Sequence, residues 1–463
     1  MNWVQFWQKV LYGDVILSAY LKTYRHIAPG QKFDCSMEKM KMKNVYVVLI
    51  VGILCLSMFG VLTLNVKAQS DDDWTEFHHD VTRAGSSTSI GPLTNTTSWS
   101  YTTGGPVYSC PAVSDGAVYV GSTDGNVYAL NSTTGSVIWS FTTESSIESS
   151  PAVNSGMVFI GSDDYNVYAL NAATGTSVWQ YLTGGPVESS PAVDNGSVYV
   201  GSLDDNVYAL NENTGTLVWK FTTGGGVYSS PAVSGGVVYV GSDDFNVYAL
   251  NETTGSDMWN FTTGSSGSQV ESSPAVAGGM VFVSSENSRV YGLNATTGAF
   301  VWDYTTDAGV YSSPAVANGI VYFGSKDSYV YALNAETGAY MWSFVTGGAV
   351  YSSPAVAGGT VFIGSTDDTL YALDASKGAY EWSYTTGDEI YSSPAVVSGM
   401  VYVGSVDDNV YAFGPSTSSV LSQIETYAII AVVIVVVIAV VAFLYLALRG
   451  RSRRQDAGQG MHL

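Results

Sequence analysis

The sequence predicts an all-β protein, an eight-bladed β-propeller of four-stranded blades closed by an N-terminal strand, with one or two transmembrane helices. Three observations carry this. Proline stands at 111, 151, 191, 231, 274, 314, 354 and 394, a step of 40 residues broken once by 43. Tryptophan keeps the same step at Trp99, Trp139, Trp179, Trp219, Trp259, Trp302, Trp342 and Trp382. Between residues 97 and 414 the apolar segments are short, rich in Val and Tyr, and separated by Gly, Asn, Asp and Thr, with no helical period. Repeats of about 40 residues holding four strands are propeller units. A linear β-solenoid is the competing architecture, but it would need capping ends where this chain offers closure.

Composition narrows the function before any site is named. The 463 residues carry 17 Lys and Arg against 39 Asp and Glu, for a net charge of −22, while 46% are hydrophobic. Disorder requires low hydrophobicity. A nucleic-acid binder requires a basic face. Three cysteines are too few for a disulfide scaffold.

The charge is partitioned along the chain. Residues 1–43 are basic, at +4. Residues 44–66 hold an uncharged apolar run of 20, residues 45–64, long enough to cross a bilayer. This run reads either as a retained anchor or as a signal peptide, because Val66-Lys67-Ala68 resembles a small-residue cleavage site. Met37 and Met40 offer alternative starts, which would leave residues 1–36 untranslated. If translated, Trp3, Phe6, Trp7, Val10 and Leu11 are spaced for one face of an interfacial helix. Cys55 does not read as a lipidation site, since bulky Leu54 precedes it. A lead segment, 69–96, precedes the propeller at 97–414, and residues 69–423 carry a charge of −29. A linker, 415–426, leads to a second apolar helix at 427–448. The tail 449–463 bears Arg449, Arg451, Arg453 and Arg454. By the positive-inside rule this tail is cytoplasmic and the acidic propeller stands outside the cell membrane.

The repeat places its own elements. Residues 227–264 read VYSSPAV, SGG, VVYVGS, DDFN, VYALN, ETTG, SDMWNFTTG. The Pro cannot donate to a ladder, so the first strand is an edge strand lining the central channel. Gly255 and its equivalents let the Trp of the following strand dock between blades. The last unit lacks a Trp strand, and the strand around Trp99 precedes any Pro-Ala-Val segment. That strand is therefore expected to complete the last blade beside residues 410–413, leaving no open edge.

The runs Ala-Leu-Asn-x-x-Thr-Gly-x-x-x-Trp, such as residues 249–259, and the Pro-Ala-Val strands resemble the repeats of pyrroloquinoline-quinone-type propellers. The segment 74–91, with His78, Asp80, Arg83 and Gly85, resembles the approach to such propellers. The resemblance implies two functions. One is a quinone-dependent dehydrogenase, in which a vicinal disulfide, a calcium ion and an Asp base serve the quinone over the axis. The other is a scaffold, as in the propeller lipoprotein of outer-membrane barrel assembly, from which this chain departs in its C-terminal anchor. No Cys-Cys pair occurs, and no blade carries a large insertion for a substrate pocket. Cys110 replaces a repeat Ser and reads as a small buried residue. The binding or scaffolding reading is therefore taken first, with pyrroloquinoline quinone and calcium as the cofactors of the alternative.

No catalytic or metal-ligating constellation is expected. His78 and His79 are the only histidines of the outer region and cannot form a metal site alone. The candidate ligand site is a ring, three residues before each Pro. It reads Tyr108, Glu148, Glu188, Tyr228, Glu271, Tyr311, Tyr351 and Tyr391. Propeller symmetry puts these at one height on the channel, suited to a cation, an amine or a sugar; the alternative is packing between blades. The turn acids Asp124, Asp164, Asp204, Asp244, Asp327, Asp367 and Asp407, with Asn287, read as turn-forming residues, with calcium ligation as the alternative. Glycosylation sequons stand at Asn95, Asn131, Asn195, Asn251, Asn260 and Asn294. The expected partners are proteins or cell-envelope glycans at the outer face, and no nucleic acid.

Overall fold

Each unit of about 40 residues folds as a four-stranded antiparallel sheet, and the described residues form eight such sheets, one of them extended by a fifth short strand. The computed structural model describes residues 73–415. The apolar runs, the basic segment 1–43 and the tail 449–463 lie outside the described residues. Among the described residues no helix is long and apolar enough to cross a membrane.

Blade 1 shows the plan, with strands Ala112–Ser114, Ala117–Gly121, Asn126–Asn131 and Val137–Thr142. The two central strands are almost wholly apolar because both of their faces are covered by neighbouring blades. The outermost strand is exposed except at its buried Trp and the half-buried Phe141. Blade 8 contains Ala395–Val397, Met400–Gly404 and Asn409–Phe413, and takes its fourth strand, Thr97–Thr102, from the start of the ring. Trp99 pairs with Ala412 and Tyr101 with Val410, in the closure expected from the repeat count. A short added strand, Ser86–Ser87, runs parallel to Ala355–Ala357 of blade 7.

The tryptophans join the blades. Trp219 donates its indole N–H to the Glu252 carbonyl of the next blade at 2.8 Å, and its ring packs on Tyr199. Gly255 has φ +68°, and a Cβ there would lie 2.6 Å from Trp219. The glycine thus accommodates the Trp of the preceding blade. The expected partner, the Trp of the following strand, lies instead against Gly298 of the next blade, where its N–H donates to the Ala295 carbonyl.

The Ser-Ser-Pro-Ala-Val strand organises the axis. The first Ser ties two strands of one blade: Ser229 Oγ accepts the Gly241 N–H at 2.9 Å, and the same bond recurs in all eight blades. The second Ser ties neighbouring blades. Cys110 N donates to Ser150 Oγ, Ser150 N to Ser190 Oγ, and so on round the axis, until Ser393 N donates to Cys110 Sγ at 3.0 Å. The result is a closed circle of eight hydrogen bonds, with Cys110 buried in it as the one thiol.

The Val of each first strand leaves an N–H facing the channel, and the lead segment answers it. Val113, Val153, Val233, Val276, Val316 and Val356 donate to the carbonyls of Trp74, Thr75, Val81, Thr82, Ala84 and Gly85. Val193 donates to the Glu76 side chain, and Ser398 of blade 8 to Ser89 Oγ. The lead segment therefore visits all eight blades in order. Arg83, fully buried, donates to the carbonyls of Phe77, Pro191 and Pro231 at 2.6–3.0 Å, and Glu76 lies 3.5 Å from it. Gly85 needs its small size: φ is +64°, and a Cβ would lie 2.8 Å from that of Ala315.

Candidate functional site

Along each first strand the ring residue comes before the Ser pair and the Val. The eight ring residues therefore stand at one end of the axis and the lead segment fills the other. The channel is a cup whose mouth is bordered by the predicted ring. Seven of the eight are half-buried and Glu148 is exposed.

The ring divides in two. Blades 6, 7, 8 and 1 contribute Tyr311, Tyr351, Tyr391 and Tyr108, whose neighbouring ring centroids are 5.3, 5.1 and 5.5 Å apart. Tilted contacts at these distances are favourable aromatic geometry. The Lys326 ammonium lies 4.9 Å from the Tyr311 ring and 5.9 Å from that of Tyr351, within cation–π range. Blades 2 to 5 contribute Glu148, Glu188, Tyr228 and Glu271. Burial pushes Glu188 up to about 7, with Glu148, Asp163 and Glu271 adding repulsion. Burial also lifts Glu271 to about 7, helped by Glu286 and Asp243 and opposed by Lys326. Partial desolvation at the rim of the channel, with Asp163 adding repulsion, raises Glu148.

A second variable position joins this end, the residue before each turn acid. It reads Thr123, Asp163, Leu203, Asp243, Glu286, Lys326, Thr366 and Val406. Each backbone N–H bonds the carbonyl two residues before a ring residue, as Asp163 does to Ser146 and Lys326 to Gly309. The acids of both positions fall on blades 2 to 5, and burial raises Asp243 to about 6. The reading of single residues missed this arc. Its signal in the sequence is variation at one repeat position whose neighbours hardly vary.

The turn acids are occupied, each tying its own blade to the connection that arrives from the preceding blade. Asp124 accepts from the Tyr128 hydroxyl and from the N–H groups of Asn126 and Gly104, at 2.6–2.9 Å. Burial opposes its ionisation, but these donors hold it below its ordinary range. Asn287 donates to Thr263 O and the Tyr291 hydroxyl instead. Among the described residues no group of three His, Cys, Asp or Glu is placed to hold a metal ion.

The sequons fall into two sets. In Asn131, Asn251 and Asn294 the side-chain oxygen caps the following Thr-Gly turn. In Asn95, Asn195 and Asn260 the side-chain nitrogen donates, to Ser383 O, to Glu252 and to Asp257. Two crevices, of about 370 and 510 Å³, open at the opposite end of the axis between blades 1 and 8 and between blades 6 and 7. Neither contains a ring residue.

Eight four-stranded blades, a tryptophan between each pair and an N-terminal strand closing the circle define a quinoprotein-type repeat propeller. A family model described as outer membrane protein assembly factor BamB matches residues 83–193, 182–274, 243–351 and 326–423, and the chain belongs to this family. Among solved structures, BamB from Moraxella catarrhalis is similar at 20% identity, with a TM-score of 0.61, covering 69% of this chain and 99% of that one. Quinohemoprotein alcohol dehydrogenase from Comamonas testosteroni is similar at 17% identity and a TM-score of 0.65, covering 74% and 80%. A computationally designed protein, Ika8, is similar at 18% identity and a TM-score of 0.61, covering 68% and 97%. At these identities the likeness is one of fold. No curated protein matches the chain.

Proposed function

We propose that this chain is a membrane-anchored propeller standing outside the cell, which binds or scaffolds protein partners through the mouth of its channel. The observation that carries the reading is the split ring. The eight positions that border the mouth differ between blades, while the residues that build the blades repeat. Every blade needs the same packing, whereas binding residues are carried on the loops and strand ends that such a rigid scaffold positions. Family membership with an assembly factor supports protein partners, with envelope glycans as a further class. The apolar runs 45–64 and 428–448 and the arginine-rich tail support the anchor and the orientation.

The quinone-dependent dehydrogenase is the second reading, favoured by the shared fold of the alcohol dehydrogenase. The residues present do not fit the group that the resemblance implies. Cys110 is flanked by Ser109 and Pro111 and held in the axial circle, so no vicinal disulfide forms there.

Two experiments test these readings, the first on the full chain in detergent and the second on intact cells. Reconstitution with quinone and calcium, followed by dye reduction, is expected to give no turnover, and tight binding with turnover would overturn the scaffold reading. Protease added to intact cells is expected to degrade the propeller and spare an epitope on residues 449–463; the opposite pattern would reverse the orientation.

A further inference from the structure

We propose that the mouth of the channel binds a basic peptide segment of a protein partner, with its ammonium groups held between the tyrosine arc and the carboxylate arc. This rests on the binding-module reading above and names the partner's chemistry.

The tyrosine arc already carries an ammonium. Lys326 Nζ lies over Tyr311 and Tyr351, and among the described residues no carboxylate lies within ion-pair distance of it. The faces of Tyr391 and Tyr108 continue the same arc, and among the described residues no cation lies over them. Facing them are Glu148, Asp163, Glu188, Asp243, Glu271 and Glu286, far more negative charge than one lysine balances.

A second, independent observation points to an absent donor. Asp163 Oδ1, Asp243 Oδ1 and Gln269 Oε1 are buried at this end with no hydrogen-bond partner. A buried acceptor left unpaired is costly, and rotation of these side chains toward the mouth would let a ligand N–H recover that cost. Carboxylates spread over four blades suit several ammonium groups on one flexible chain better than a single metal ion. Lysine and arginine stems also pack on aromatic faces while their heads reach polar groups. The lead segment closes the far end, so the segment enters and leaves by the mouth.

The test uses the full chain in neutral detergent at physiological ionic strength, with a fluorescent lysine pentapeptide as probe. A Gly-Ser pentapeptide, spermidine and calcium serve as comparators. Wild type is expected to bind the lysine peptide. E148Q/E188Q/E271Q should weaken binding about tenfold or more, and Y351A/Y391A about 3- to 30-fold. D115N/D257N/E336Q, at the opposite end, should leave binding unchanged, and K326A should tighten it. Equal loss in the opposite-end variant, or no loss in the mouth variants, would overturn the proposal. Equal binding of the Gly-Ser peptide would overturn it while leaving the binding module standing. Displacement by spermidine or calcium that is indifferent to Y351A/Y391A would assign a small-cation site instead. Quinone bound at the mouth with no peptide binding would sink both readings.

Discussion

The indole N–H of Trp382 donates to the carbonyl of Pro92, 290 residues earlier in the chain, at 3.0 Å. In the other seven blades the acceptor follows the Trp by 33 or 36 residues, in the turn before the next blade's Trp strand. Blade 8 borrows that strand from the N-terminal end, and the approach to it supplies the acceptor. Pro92 therefore completes the last interblade joint as Thr97–Thr102 completes the last sheet.

Truncating a joint should be costly. Trp219→Ala and Trp382→Ala are each expected to destabilise the protein by about 3–5 kcal/mol in chemical denaturation. Gly255→Ala should cost at least about 1–2 kcal/mol from its left-handed backbone alone, plus displacement of Trp219. In the Trp219→Ala background the steric part disappears, so the double variant should fall short of additivity. Full additivity would separate the two residues.

The plug is expected to behave as a structural axle. Arg83→Met leaves the carbonyls of Phe77, Pro191 and Pro231 unpaired and Glu76 without its counter-charge. A loss of about 3–5 kcal/mol is expected. Adding Glu76→Gln should recover part of it. A near-neutral Arg83→Met would show that the lead segment is only lodged in the channel.

The axial circle distinguishes an acceptor from a mere filler. Cys110→Ser restores an eighth hydroxyl and should change stability by less than about 1 kcal/mol. Ser150→Ala removes the acceptor of the Cys110 N–H and should cost about 1–3 kcal/mol. Equal melting temperatures for the two variants would deny the circle a role.

Stability should fall as pH rises. Glu76, Glu188 and Glu271 are lifted to about 7, and Asp243 to about 6, chiefly by burial. Unfolded carboxylates titrate near 4. Between those values the folded state holds more protons than the unfolded state at these four acids, so their contribution to stability is full below about 4 and is lost as pH rises through about 7. The melting temperature should be higher at pH 5 than at pH 8, and E188Q/E271Q should flatten the slope. Lys326, Glu148, Asp163 and Glu286 set the local charge against which this is read. A melting temperature that climbs across the same range would contradict the environment assigned to these acids.

The blade plan was legible because packing repeats: Trp, Pro and Gly recur where every blade needs the same joint. The strand around Trp99 was legible because strand counts at the two ends complement each other. The lead segment's path was not legible, since residues 74–89 meet partners up to 309 residues away and share no period with the blades. The ring positions followed from symmetry, but their division into tyrosine and carboxylate arcs needed the blade order in space. The partner of Gly255 was misjudged because sequence distance favours Trp259, whereas the ring's geometry places Trp219 there.

The most direct test of the mouth as the partner-binding surface is site-specific photocrosslinking on intact cells. A benzophenone amino acid is placed at Tyr351 or Tyr391, and at Tyr340 on an outer strand as the control. Adducts are expected from positions 351 and 391, lost in the E148Q/E188Q/E271Q background, and absent from position 340. Adducts from position 340 alone, or adducts at the mouth unaffected by the three substitutions, would contradict the account.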